Sequence, residues 1–183
     1  MFADNTLTPK ETVRLCALGT LALGATRYGV LANSIRHFIS HITGPSLDVM
    51  GISIELLKYE GLIEASDKSS IVDDVELIIT ESGRKELKAL LIANVRPAAT
   101  EISKLVVALK FRFLHLLDSA ERTVQTELLI EMTENELARL DDLHQYHANE
   151  EGYLVGWLNH DISLLEERLG WLEDFKKSLS QSF

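Results

Sequence analysis

The sequence predicts a mainly α fold, a winged helix-turn-helix domain followed by an all-helical C-terminal domain, and three observations carry that prediction. From Met50 to Leu87 the chain reads helix, strand, polar loop, strand, helix, the order in which a winged helix finishes. After Pro97 the apolar residues recur at helical spacing throughout, without the alternation of a strand. The last helical stretch repeats its apolar residues at alternating steps of four and three, the pattern of a coiled-coil seam.

Thr8-Pro9-Lys10-Glu11 reads as a helix start: Thr caps, Pro suits the first helical position, and Glu three residues after Thr completes a capping box. A first helix over Pro9 to Leu23 is therefore expected, ended by Gly24. A second, from Tyr28 to Ser40, buries Leu31, Ile35 and Phe38, and Gly44-Pro45 supplies the turn after it. The third, Leu47 to Tyr59, buries Met50, Ile54 and Leu57 and stops at Gly61, a residue suited to the left-handed position past a helix end. Leu62 to Ala65 and Val75 to Ile79 form a two-stranded ribbon around Asp67-Lys68-Ser69-Ser70, the wing. Thr80 then caps a helix with Gly83 in its first turn and Leu87, Leu90 and Leu91 inside.

Pro97, which has no amide donor, marks the expected boundary between a domain over residues 1–95 and one over 98–183. Ile102, Leu105, Val106, Leu109, Phe113, Leu116 and Leu117 trace one face of a helix ending near Asp118-Ser119. The next runs from Glu121 to His147, with Leu128, Met132, Leu140 and Leu143 as its apolar side and a bend or interruption at Thr133-Glu134-Asn135. The last, Tyr153 to Leu179, carries Leu158, Ile162, Leu165, Leu169 and Leu172 as its seam and Trp157, Leu164 and Trp171 as a second row seven residues apart. Three helices in one chain leave such a wide stripe uncovered, so a homodimer through Trp157, Leu158, Ile162, Leu165, Leu169, Trp171 and Leu172 is expected.

Composition narrows the classes. Hydrophobic residues make up 46% and charged ones 25%, ordinary for a globular protein. No apolar run spans a bilayer and the first residues lack a secretory pattern, so a soluble cytoplasmic protein is expected. The single cysteine, Cys16, allows no intrachain disulfide and reads as a small buried apolar residue. The net charge of −10 opposes indiscriminate polyanion binding, yet it is uneven: residues 1–95 hold 9 basic and 12 acidic side chains, residues 96–183 hold 9 and 16. No phosphate-cradling loop, nucleophile elbow or paired metal-ligand motif occurs, so neither an enzyme nor a bound cofactor is expected. His144, His147 and His160, near Glu150 and Glu151, lack the spacing of a metal site and read as surface or interface residues.

The chain resembles the PadR family of bacterial transcriptional regulators over nearly its whole length. Leu18-Gly19-Thr20-Leu21-Ala22-Leu23-Gly24 followed by Tyr28-Gly29-Val30 resembles the family's first helix and its entry to the second. Leu57 to Ile63 resembles the end of its recognition helix, and Ile79-Thr80-Glu81-Ser82-Gly83-Arg84 its segment after the wing. Phe113-Leu114-His115-Leu116-Leu117-Asp118, Trp157-Leu158-Asn159-His160-Asp161 and Leu169-Gly170-Trp171-Leu172-Glu173 are similar to its C-terminal dimerisation domain. The resemblance implies a homodimeric regulator, a repressor more readily than an activator, binding a near-palindromic operator and, in some members, a small molecule at the dimer interface.

Departures fall where DNA would be touched. Leu47, Asp48, Val49 and Gly51 stand where the family presents Ser, Gly, Thr and Tyr; Glu55 replaces a frequent basic residue, and Asp73 and Asp74 occupy the wing. The remaining candidates for DNA contact are Lys10, Arg14, Arg27, Arg36, Ser53, Lys58 and Lys68, with His37 and His41 able to add charge when protonated. Trp157 and Trp171 are candidates to sandwich a planar aromatic ligand across a two-fold axis. The competing class is a protein-interaction module that kept the winged-helix scaffold and lost its DNA contacts.

Overall fold

The computed structural model describes residues 6–44, 53–66, 75–96 and 100–181. The chain divides into two compact units, Met1–Leu117 and Asp118–Phe183. In the first unit, α1 (Pro9–Ala22) leads through β1 (Thr26–Arg27) into α2 (Tyr28–Thr43). Next come α3 (Ser53–Tyr59), β2 (Ile63–Ala65), β3 (Glu76–Ile79), α4 (Glu81–Ile92) and α5 (Glu101–Phe113), followed by a 3-10 turn at Leu114–Leu116. The second unit is a helical hairpin of α6 (Ser119–Tyr146) and α7 (Leu154–Gln181).

Thr8 forms the expected capping box: Glu11 N donates to its hydroxyl at 3.3 Å, and Thr8 N donates back to the Glu11 carboxylate at 2.7 Å. The Thr8 amide and the Thr8 hydroxyl, each 2.7 Å from the carboxylate, donate to its ionised form and hold its pKa below the ordinary value. Leu15, Cys16 and Leu18 of α1 are fully buried, so α1 is the helix around which the unit packs. Burial pushes the Cys16 thiol up to about 11, which leaves it an inert core residue.

The ribbon has a third strand that the sequence did not suggest. The sheet order is β1-β3-β2, both pairings antiparallel, with Thr26 opposite Leu77 and Ile63 opposite Ile79. A strand of two residues is too short to show alternation, which is why it escaped the pattern. Of the expected third helix only Ser53–Tyr59 is described; its predicted start at Leu47 and the anchor Met50 lie outside the described residues.

The expected cut at Pro97 differs from the division of the structure. α5 belongs to the first unit, because its Leu105, Val106, Leu109 and Phe113 are buried in that unit and it packs on α1 and α2. The Phe113 ring lies where a Cβ on Gly19 would be 2.5 Å from it, so only glycine admits this approach of α5 to α1. The Arg112 guanidinium sits 4.5 Å from the Phe38 ring centroid and 5.0 Å from that of Phe113. Phe38, expected in the core, is thus half-buried under a cation, and Ile39 takes the deeper position with Leu31 and Ile35.

Moving the boundary changes the charge map. Residues 1–117 hold 13 basic and 13 acidic side chains, whereas residues 118–183 hold 5 and 15, so the whole net charge of −10 falls in the hairpin unit. The winged-helix unit is electrically neutral.

In the hairpin, Asp118 caps α6 with a second capping box closed by Glu121. The expected interruption at Thr133-Glu134-Asn135 is absent, and α6 runs unbroken through it. Thr133 is accommodated because its hydroxyl donates to the Leu129 carbonyl at 2.9 Å. Its buried row is Gln125, Leu129 and Thr133, while Leu128 and Leu143, expected inside, stay exposed. Polar members in the buried row obscured it in the sequence. Lys176 Nζ meets Glu127 Oε1 at 2.7 Å, joining the end of α7 to the start of α6 in an antiparallel pair.

Lys110 is 2% exposed on α5, and its ammonium donates to the Leu91 carbonyl in the last turn of α4. Burial holds its pKa down at about 8 against an ordinary 10.5. A folded pKa below the unfolded one means that the unfolded chain binds more protons between those values, so stability rises with pH across that window. Below about 8 the cost of burying the cation is fully present. Urea unfolding of wild type and Lys110→Met from pH 7 to 10 should therefore show the wild type gaining on the variant above about pH 8. A constant difference across that range would contradict the assignment.

Candidate nucleic-acid interface

The element that would enter a groove is α3, and its position is set by contacts at its C-terminal end. Ile54 and Leu57 bury its inner face, leaving Glu55, Leu56, Lys58 and Tyr59 outward. Tyr59, which sequence alone did not single out, is 89% exposed at the end of α3. At Gly61 the backbone turns left-handed, φ +70°, and closes the helix with Leu62 N donating to Leu57 O at 2.9 Å and Gly61 N to Lys58 O at 3.0 Å. This is a Schellman closure, as the position of Gly61 led one to expect.

Thr80 then ties that turn to the next helix. Its amide donates to the Leu62 carbonyl at 3.0 Å, and its hydroxyl lies 2.8 Å from Gly61 O and 3.0 Å from Leu62 O. The same hydroxyl accepts from Gly83 N at 3.0 Å, capping α4. Gly83 is required there, since a Cβ would stand 2.0 Å from the Leu62 carbonyl oxygen. The two motifs that resemble a known family, around Gly61-Leu62 and Thr80-Gly83, are therefore the two halves of one joint.

Arg14 adds an ionic clamp to this joint. Its guanidinium meets Glu60, at the end of α3, at 2.9 Å and Glu86, on α4, at 3.1 Å. The three side chains are 23%, 31% and 34% exposed, so water screens the pairs without dissolving the geometry. Arg14 was expected to meet phosphate; in this structure its guanidinium is paired with two carboxylates. Nothing local in the sequence reveals this, because the partners lie 46 and 72 residues away.

The other expected cations are scattered over several elements. Lys58 is exposed on α3 and Lys10 on the first turn of α1. Arg36 is exposed on α2, its Nη1 donating to Asn33 Oδ1 at 2.9 Å. Arg27 is exposed on β1 in register with Glu76. Ser53 opens α3. Lys68, Asp73 and Asp74 of the wing, and Leu47, Asp48, Val49 and Gly51, lie outside the described residues.

In the hairpin unit the expected dimerisation residues separate into two sets. Leu158, Leu165 and Leu172 are buried within the chain itself, each burial contributing about 1.5–3 kcal/mol. Ile162 and Leu169 are half-buried beside them. Trp157, Leu164 and Trp171 are exposed by 54%, 50% and 53% and form an apolar stripe along α7. Trp157 and Trp171 stand about 21 Å apart along the helix axis, so a single chain cannot close them on one planar molecule. Trp171 stacks instead on Phe175, centroids 5.6 Å apart. His147 Nδ1 lies 2.7 Å from Glu150 Oε1, an ordinary contact beyond the end of α6. Among the described residues no helix is long and apolar enough to cross a membrane.

A family model described as an AphA-like transcriptional regulator matches residues 2–176. No curated protein matches the chain. Among solved structures, PadR from Bacillus subtilis is similar at 16% identity and a TM-score of 0.40, over 96% of this chain and 98% of that one. The same protein in complex with operator DNA gives 17% identity and 0.36, over 91% and 98%. The smu.1604c protein of Streptococcus mutans gives 19% and 0.37, over 96% and 98%. The PadR resemblance read from the motifs and the family model agree on a transcriptional regulator and against an enzyme.

Arg14→Gln should lower stability by about 1 kcal/mol, with most of that effect absent once Glu60 and Glu86 are also Gln, as a double-mutant cycle reads it. The same variant should leave the salt slope of any DNA binding unchanged, whereas Lys58→Gln should reduce its magnitude by about 1 for each copy of the chain on the DNA.

Proposed function

The chain belongs to the family of AphA-like transcriptional regulators, and from that premise we propose that it acts as a homodimer on a near-palindromic DNA operator, more readily as a repressor. The observation that carries this reading is the joint at Thr80, which holds α3 with Lys58 and Tyr59 facing outward in a unit of zero net charge. A neutral unit does not repel phosphate as the total of −10 suggests. The contacts are drawn from Lys58 and Ser53 on α3, Lys68 in the wing, and Lys10, Arg27 and Arg36, about three to a copy. Doubling the unit supplies what one copy lacks, since about six phosphate contacts per dimer correspond to a slope near −5 in log K against log salt.

The second copy is held through α7. Leu158, Leu165 and Leu172 are spent within the hairpin, so the stripe of Trp157, Leu164 and Trp171 is the surface left to meet its symmetry mate. A two-fold axis there brings a Trp157 of one copy toward a Trp171 of the other, where a small planar aromatic ligand fits and couples its binding to the spacing of the paired α3 helices.

Sedimentation should give a mass of two chains at micromolar concentration, and Trp157→Glu with Trp171→Glu a mass of one. Fluorescence anisotropy with a duplex from the protein's own upstream region should show binding with a salt slope near −5, lost in the same double variant. Dimers that fail to bind that duplex or heparin below about 50 mM salt would favour a protein-interaction module on a winged-helix scaffold.

A further inference from the structure

His37 and His41 stand one turn apart on the outer face of α2, both exposed, with their rings stacked at 4.0 Å between centroids and 25° between planes. His41 Nδ1 lies 2.7 Å from the His37 carbonyl oxygen. A carbonyl only accepts, so in the neutral ring Nδ1 carries the proton and Nε2 keeps the lone pair, facing away from the backbone. That is the arrangement in which metal-binding histidines are commonly held: one ring nitrogen fixed by a backbone carbonyl, the other presented. Ser40 Oγ, 3.4 Å from the same Nδ1 and bonded to the His37 carbonyl at 3.1 Å, restricts the ring further.

We propose that His37 and His41 form a two-nitrogen chelate for a late first-row transition-metal dication. Helical spacing of four puts two imidazoles on one side, close enough to share an ion after a small turn of each ring. The chemistry of the surroundings selects the metal. α2 contains no carboxylate, and its nearby charged side chain, Arg36, is a cation. The described residues of α2 offer no carboxylate to hard, oxygen-seeking Mg²⁺ and Ca²⁺, whereas imidazole nitrogen suits Cu²⁺, Ni²⁺ and Zn²⁺, with Cu²⁺ the tightest. Among the described residues no group of three or more His, Cys, Asp or Glu is gathered to hold an ion. Among the described residues the ion thus takes two nitrogens, His37 and His41, with its other positions left to water or an outside ligand. Bridging two successive turns also staples the C-terminal half of α2, and without a carboxylate to neutralise it the ion leaves that face more positive.

Titration calorimetry of the full chain with Ni²⁺ and Zn²⁺ in a non-coordinating buffer tests this directly. One site per chain is expected in the micromolar range, with no heat from Mg²⁺. His37→Asn or His41→Asn should each weaken it at least about tenfold, and His144→Asn with His147→Asn, the other closely spaced pair, should leave it unchanged. Ni²⁺ should raise the Tm of wild type and not of the His41→Asn chain, whose metal-free Tm stays that of wild type because the ring is on the surface. Undiminished affinity in the His37→Asn, His41→Asn double variant, equal binding of Mg²⁺, or absence of any site in the wild-type protein would each overturn the proposal.

Discussion

The hydroxyl of Thr80 is the interaction on which the first unit depends. A single oxygen caps α4 by accepting from Gly83 N and reaches back to the Gly61 and Leu62 carbonyls that end α3. Carbonyls past a helix end and amides at a helix start are the groups a fold leaves unpaired, and here one side chain serves both. The exposed face of α3 is thereby fixed in angle by a helix that it precedes by a whole ribbon. Glycine at position 83 is the steric condition of that contact, and Arg14 adds charge to it by gripping Glu60 and Glu86 from α1.

What the sequence disclosed follows from the range of the forces involved. The Thr8 box, the closure at Gly61 and the cap at Thr80 each span six residues or fewer, and local chemistry announces them. The grip of Arg14 on Glu60 and Glu86 joins residues far apart in the chain, and an arginine bound for a carboxylate looks like one bound for a phosphate until the fold brings the partner. The allegiance of α5 was hidden for the same reason, because Pro97 is a local break whereas the seat of Phe113 on Gly19 is a tertiary one. In α6 the inner row contains Gln125 and Thr133, so apolar periodicity pointed to Leu128 and Leu143 on another face.

Relocating the boundary to residues 117 and 118 also resolves the tension posed by charge. Residues 118–183 hold 15 acidic side chains against 5 basic ones and account for all of the net −10. A hairpin that negative is poorly suited to approach a phosphate backbone and well suited to stay clear of it, while its stripe of Trp157, Leu164 and Trp171 remains apolar. Composition thus separates a neutral unit that carries α3 from an acidic unit that carries the apolar stripe of α7.

One side chain couples the end of α3 to the start of α4. Amide hydrogen exchange on Thr80→Val, which keeps the shape and removes the hydroxyl, measures that coupling directly. Protection should fall together at Gly83 and across Leu57 to Leu62, with α6 and α7 unchanged. Loss confined to Gly83, with the end of α3 as protected as in the wild type, would contradict the account.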